Sequence, residues 1–515
     1  MDALRLKALE VPDDFISAIQ SYYESVKLRV RTAEGFSDPF DSEVGVKQGC
    51  PLSPTLFGVF IEHFADFIPR HEAKGALPRV LFYADDLVLI GYSESELHDL
   101  LRLLEDFCSK TGMMVNELKT EVVVFRKEKL CPRIATPFTF KGVALKVVDE
   151  YRYLGFIFHA WKSPLDHGLP ILIKSATRAA HFLRSRCRAL YIRDVPTIFR
   201  LFDMYVRPIL LYASEMWLPY LFTRSRSTGE LEYDYFSSPI EKVHTRFIRD
   251  VFHLPSSTPI APMLWELGRV PLIAAAQKQL AQFLFKLAND DGTRKNVFDK
   301  HLAESSCTDK FKPAPPPRTW TALYIDCVTH GLNPGDRLQF NSLDAFSSKA
   351  DLVLFKDCPP KAAAKALREA LANAPETSTL IHTYYQLVCL QPLDSEIPAL
   401  APYLKETAFQ RSRLLLLRER LGLIEDDNRR QRHARIRRGQ RSSCPHCHLK
   451  EVEDSDHRLL RCPRFNHERA LFPSLFPADA QVTRHQLLST ADPARDYNVL
   501  GLYLYLCHRV RVQTG

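Results

Sequence analysis

Apolar residues recur at two intervals along this chain, and each interval predicts a kind of element. Leu56, Phe57, Phe60, Phe64, Phe67 and Ile68 follow one another at helical spacing, as one buried helix face requires. Ser53 stands where an N-cap is expected, and Pro54 fits the first helical position, where its missing N–H costs nothing. In "SESELHDLLRLLEDFCSKTG" Ser93 and Glu96 are in capping-box register, Leu97, Leu100, Leu101, Leu104 and Cys108 form a face, and Gly112 is the stop. From about 169, stepping about 100° per residue puts Leu172, Ala176, Ala179, Ala180, Leu183, Cys187 and Leu190 on one side of a helix. Lys174, Arg178, Arg184 and Arg188 fall on the other, a face suited to a phosphate backbone or simply to water.

The other interval is the strand's. Residues 13 to 28 read as helical, and "LRVRTAEGFSDPFDSEVGV" then reads as short strands with turns. "VLFYADDLVLI", residues 80 to 90, predicts a hairpin turning at Ala84 and Asp85, packed on at least one face. "MMVNELKTEVVVF" returns to a strand, and "EYRYLGFIF", 150 to 158, is a further strand-like run rich in aromatics. Strands and helices alternate irregularly, which predicts an α+β fold. "KPAPPPR", 312 to 318, is the best domain boundary. Residues 319 to 400 offer one helix, "KAAAKALREALANA", and little chemistry.

Composition narrows the class. The 515 residues are 46% hydrophobic and 25% charged, ordinary for a globular chain with a real core. No apolar run approaches the roughly 18 residues of a membrane span, and "MDALRLKALEVPDDF" lacks a signal core. The cysteines follow no disulfide rhythm, so cytosol or nucleus is expected. The net charge of +8 is concentrated in "RRQRHARIRRGQRSS", 429 to 443, with seven arginines and no acid. Such a block suits an anionic partner, nucleic acid first, or else a nuclear-import signal or solvated linker.

Asp85 and Asp86 are the sharpest chemical feature. Two adjacent carboxylates repel each other and resist losing water. Hard cations such as Mg²⁺ bind such oxygens together with substrate phosphates, and a pair of ions can clamp both oxygens of a phosphoryl transfer. An ordinary Asp-containing turn is the plain alternative.

Four motifs decide between the two. "GVKQGCPLSPTLF", "FYADD", "GMMVNELKTEVVVF" and "YRYLGFIF" occur in order at compact spacing. Together they resemble the palm of reverse transcriptases, specifically those of non-LTR retrotransposons. "YVRPILLYASEMW" and "LWELGRVPL" resemble the helical thumb region of the same elements. "CPHCHLKEVEDSDHRLLRCP" resembles their cysteine–histidine knuckle, with Cys444, Cys447, His457 and Cys462 as ligands. Three thiolates and an imidazole suit a structural Zn²⁺, although His446 and His448 compete with His457. The resemblance covers roughly residues 1 to 300 and 405 to 475.

It implies a partial palm sheet with helices (1–165) and a helical thumb (166–311); the proline-rich linker (312–318) and a mostly helical region of unknown role (319–428) come next. The arginine-rich segment with its zinc knuckle (429–475) and a tail (476–515) follow. It implies RNA-templated DNA synthesis on an RNA template with a DNA primer or target and deoxynucleotides, with two Mg²⁺ ions and no membrane, in nucleus or cytoplasm. Asp85 and Asp86 would hold the metals. Gln48, Gly49, Tyr83 and Ala84 would meet substrate, glycine for its bare backbone, and Lys119 would steady the pyrophosphate or sit as a surface lysine. Tyr151 to Phe158 would form a primer-holding strand.

The family set also needs an earlier Asp-x4-aromatic-Asp motif. Asp13 and Asp14 stand at a helix start and Asp2 beside the terminus. A fragment truncated at its N-terminus, inactive or impaired alone, is therefore expected. A non-catalytic nucleic-acid-binding remnant is the alternative, and a protein-interaction module built on the knuckle is a third reading.

Overall fold

The computed structural model describes residues 3–24, 26–41, 45–68, 79–126, 129, 134–224, 231–290, 349–373, 384, 397–406, 410–424, 443–444, 446–452, 454–490 and 495–514. The proline-rich 312–318 and the arginines of 429–442 lie outside them. The chain forms two compact units, residues 1–151 with 159–161, and residues 152–158 with 162–515. Among the described residues no helix is long and apolar enough to cross a membrane.

The first unit begins with α1 (Ala3–Ala8) and α2 (Asp13–Tyr23). Strand β1 (Lys27–Leu28) pairs with β4 (Phe40–Asp41), and β2 (Arg31–Thr32) with β3 (Gly35–Phe36). The helix expected over 13 to 28 thus closes early, because Lys27 and Leu28 are already in a ladder. Helix α3 (Ser53–Glu62) follows, ending in a tight turn over His63–Phe67. Ser53 is not its cap: the backbone at Leu52 is already helical, and the Ser53 hydroxyl instead donates to the Lys47 carbonyl at 2.6 Å.

Strands β5 (Val80–Tyr83) and β6 (Asp86–Leu89) form the expected hairpin, with Tyr83 opposite Asp86. Val80, Phe82, Leu87 and Leu89 face the core, while Leu81 and Tyr83 are exposed. Helix α4 (Glu94–Thr111) lies in the same core. The Ser93 hydroxyl accepts the Glu96 N–H, the Glu96 carboxylate accepts the N–H of Tyr92 rather than Ser93, and Gly112 closes the helix at φ +73°. At the centre Phe107 is 1% exposed, with the rings of Phe60, Phe64 and Phe67 at centroid distances of 6.4, 5.0 and 5.4 Å.

Strand β7 (Glu121–Val123) precedes the hairpin of β8 (Thr139–Phe140) and β9 (Val143–Ala144), and runs parallel to β10 (Lys146–Val148). The aromatic run at 150 to 158 is not one strand. It forms a hairpin of β11 (Glu150–Tyr153) and β12 (Phe156–His159), turning through Leu154 and Gly155 at φ +48° and +83°. Positive φ at both central residues is what a tight hairpin turn demands.

The second unit is helical: α5 (Gly168–Ala189), α6 (Val195–Tyr205), α7 (Arg207–Leu210), α8 (Ser214–Trp217), α9 (Pro239–Phe252), α10 (Ile260–Glu266) and α11 (Ile273–Ala288). Then come α12 (Lys349–Ala372), α13 (Pro402–Glu406), α14 (Gln410–Arg420), α15 (Asn466–Ala470), α16 (Arg484–Leu488) and α17 (Tyr497–Thr514). Helix α5 buries Leu172, Ala176, Ala180, Leu183 and Cys187 as expected. Leu190 lies past its end and is exposed, and Arg184 on its flank pairs with Asp250 of α9 at 3.1 Å. Helix α12 starts well before the expected 361, and Pro359 and Pro360 are buried inside it. Segment 476–515, expected only as a tail, contributes α17, whose Leu500, Tyr503 and Leu504 join the core that holds α14.

One polar cluster sits inside that core. Glu266 is 3% exposed and accepts four hydrogen bonds. They come from the hydroxyls of Tyr384 and Tyr403 at 2.9 and 2.7 Å and from two nitrogens of Arg420 at 2.9 and 2.6 Å. Arg420 also donates to the Leu488 carbonyl. Gly268 lets the chain pass: a Cβ there would lie 2.3 Å from the Leu400 nitrogen. Replacing one partner of a buried ion pair strands the other. Glu266→Leu alone is expected to cost about 3–5 kcal/mol, and Glu266→Leu with Arg420→Met to recover only part of it, since the buried Tyr384 and Tyr403 hydroxyls still lack their acceptor, read as denaturation midpoints.

Candidate functional site

Two groups of chemistry-bearing side chains stand out, one in each unit. In the first unit the hairpin turn is made by Ala84, at φ +52°, and Asp85. Asp85 and Asp86 are both exposed, and neither carboxylate makes a hydrogen bond or ion pair among the described residues. Tyr83, 63% exposed, stands across the ladder from Asp86. The apolar inner face of the strands anchors this tip, so the carboxylates are presented by a packed element and not by a loose loop.

Gln48 and Gly49 lie in the exposed loop before α3. Gly49 has φ +82°, and an added Cβ would meet nothing within 4 Å. Glycine is required here by backbone conformation within the fold. The loop is pinned by the Ser53 hydroxyl, which also lies 3.1 Å from the Tyr23 hydroxyl, and by Lys47, whose Nζ donates to Tyr22 at 3.2 Å. Beside it the Leu52 N–H holds the Cys50 thiol below its ordinary pKa. Lys119 is exposed in the turn after α4, its N–H bonded to Asn116. Hydrogen bonds among the described residues join neither Gln48 nor Lys119 to the aspartates. The structure gathers Tyr83, Ala84, Asp85 and Asp86 at one tip and leaves the other expected residues on their own loops.

The second group is compact. One ligand atom from each of Cys444, Cys447, His457 and Cys462 lies within 4.8 Å of all the others. A short bridge between Ser443 and Val452 folds the two early cysteines back, and the one-turn helix His457–Arg461 brings up the later pair. His457 is fully buried and its Nε2 lies 3.3 Å from the Cys447 sulfur. His448, by contrast, is exposed, and His446 is not in the cluster.

Glu451 was not visible as a functional residue in the sequence. Its carboxylate faces His457 Nδ1 at 2.9 Å and also accepts from Arg461 at 3.1 Å. The His457 bond, then Arg461, holds the Glu451 carboxyl below the usual range. An acceptor at Nδ1 fixes the proton there and leaves Nε2 a lone pair toward the thiols, the usual arrangement beside a metal. The run of acids between the second cysteine and the histidine was the available signal. Burial pushes the Cys444 thiol up and the Cys462 thiol up to about 12. Three clustered thiols of this kind call for a cation, and soft sulfur with imidazole fits zinc.

Comparison with known proteins concerns mainly the first unit. The family model "Reverse transcriptase (RNA-dependent DNA polymerase)" matches residues 2–158. The Pol polyprotein of the type-2 retrotransposable element R2DM of Drosophila melanogaster is 31% identical over 165 residues, 30% of this chain and 16% of that protein. The probable RNA-directed DNA polymerase from transposon BS of the same fly is 26% identical over 217 residues, 40% and 23% of the two chains. The RNA-directed DNA polymerase from mobile element jockey of Drosophila funebris is 30% identical over 194 residues, 35% and 19% of the two. The matched region thus spans between 16% and 23% of these curated relatives. The family match runs through the YADD hairpin and the loop before α3, and over this segment the chain is similar to the reverse transcriptases of non-LTR retrotransposable elements.

Proposed function

We propose that the Asp85–Asp86 tip is part of a polymerase centre for RNA-templated DNA synthesis. The observation that carries this is the pair of exposed, unpartnered carboxylates on a packed hairpin, inside the segment that matches reverse transcriptases. In the reaction a primer 3′-hydroxyl attacks the α-phosphate of a deoxynucleotide, the α–β phosphoanhydride bond breaks, and pyrophosphate leaves. Asp85 and Asp86 would hold Mg²⁺, whose positive charge stabilises the negative charge gathering on the phosphoryl oxygens. Tyr83 offers an exposed ring beside them. Gln48 and Gly49 line the approach of template and nucleotide, and the Lys119 ammonium steadies the pyrophosphate. RNA template, DNA primer or target, and deoxynucleotides are the partners.

The cysteine–histidine cluster supports a structural zinc, which would give this short polar segment its fold. Lack of catalysis would leave a second reading, a nucleic-acid-binding protein. The basic helix α5, which carries no acid, favours that reading.

Two experiments test these assignments. Asp85→Asn should lower primer extension on an RNA template at least about a hundredfold, in line with losing a group that stabilises transition-state charge. Its affinity for the template should stay within about twofold, since few phosphate contacts change. Extension unaffected by this change would remove the aspartates from the centre. Metal analysis should find one zinc per chain, lost in Cys462→Ser, and Glu451→Gln should weaken zinc binding about 10–100-fold. Because buried thiols must release protons to bind the ion, zinc affinity should rise with pH through the neutral range and fall in acid.

A further inference from the structure

Helix α5 carries Lys174, Arg178, Arg184, Arg186 and Arg188 and no acidic residue. Its C-terminal end borders a cleft of about 170 Å³, completed by the start of α6, the end of α9 and α14. Arg184, Arg188, Arg193 and Arg413 line it together with Tyr191 and His253, and no carboxylate is among the lining residues. Two of these cations are engaged within the fold. Arg184 pairs with Asp250, and Arg413 donates to the Arg193 carbonyl at 3.1 Å. Arg188 and Arg193 are exposed and form no ion pair among the described residues.

Tyr191 is 75% exposed, with its backbone at φ +54°. The bonds from its N–H to the Arg188 carbonyl and from the Ile192 N–H to the Cys187 carbonyl hold it there. The Arg193 guanidinium lies 5.6 Å from its ring centroid. His253 reports the local field: burial first, then Arg188, Arg418 and Arg184, lower its affinity for a proton. Cations beside an exposed aromatic ring match the way single strands are held, phosphates on charge and bases on ring faces. A cleft of this size is too small for a base pair.

We propose that this cleft binds the phosphodiester backbone of a single-stranded nucleic acid, with Arg188 and Arg193 on phosphates and one base stacked on Tyr191. The proposal rests on the reading of nucleic acid as partner and adds a site outside residues 2–158. Arg184 and its partner Asp250 also line a second groove beside α5, where Lys242 and Arg246 of α9 stand.

The test is fluorescence anisotropy of a labelled, unstructured oligonucleotide against the full chain across a range of potassium chloride, with no nucleotides present. Arg188→Gln with Arg193→Gln should reduce the slope of log affinity against log salt by about 1.4, two contacts at roughly 0.7 each. Arg102→Gln with Lys365→Gln removes the same charge elsewhere and should leave the slope unchanged. Tyr191→Ala should weaken binding about fivefold to a hundredfold for the oligonucleotide, the range for one stacked base, and leave an abasic strand unaffected. An unaltered slope in the double arginine variant overturns the site. Equal displacement by poly-glutamate reassigns it to acidic peptides, and full displacement by inorganic phosphate with no effect of Tyr191→Ala reassigns it to free phosphate; either overturns the strand. Primer extension is scored separately. Extension that Asp85→Asn leaves unchanged, with the slope reduced in the double arginine variant, would defeat the polymerase reading alone, and extension lost in Asp85→Asn, with the slope unaltered in the double arginine variant, would defeat the cleft alone.

Discussion

A buried carboxylate must be met by enough donors to replace its water, and Glu266 is met by four. Those donors come from chain positions more than a hundred residues beyond it, so satisfying one charge fixes the mutual placement of α10, α14 and the segments carrying Tyr384 and Tyr403. The constraint passes further through neighbouring positions of α14. Arg420 reaches the Leu488 carbonyl, while Glu419, itself 1% exposed, takes the Arg458 guanidinium at 2.6 and 2.5 Å. Arg458 is the residue after His457. The scaffold under the cysteine–histidine cluster is therefore set by the same helix that answers Glu266.

The hairpin in the first unit follows an opposite logic. Its two aspartates are left in water, where their mutual repulsion is screened, and the cost of holding them side by side is borne by apolar packing underneath. Phe82 meets Phe64 edge-on at 5.9 Å, and α4 covers the same inner face. A rigid base with an open charged tip is what the proposed metal-holding role of Asp85 and Asp86 requires.

Features determined by near neighbours were legible in the sequence. Ser93, Glu96 and Gly112 mark the ends of α4 because a cap is decided within one helical turn, and the YADD hairpin is visible because its turn interrupts two apolar runs. The four members of the cysteine–histidine cluster were legible for the same reason, since they lie within a short stretch. "EYRYLGFIF" misled because leucine rarely adopts positive φ, so a turn through Leu154 carries no turn-like composition. Ser53 misled because the helix begins one residue sooner than its best cap. The Glu266–Arg420 pair was out of reach: 154 residues separate its members, and nothing local shows that either is buried.

Phe156 is 4% exposed and belongs to the core formed by α5, α6, α9 and α11. Residues Arg152–Phe158 accordingly belong to the second compact unit, although the match to reverse transcriptases runs to residue 158. Kinship and packing thus draw their borders at different places. A chain cut at the border of kinship would carry away the last strand of the motif and leave behind the helices that shelter it. The border of packing runs through the hairpin itself, leaving Glu150, Tyr151 and His159 with the first unit and Arg152–Phe158 with the second.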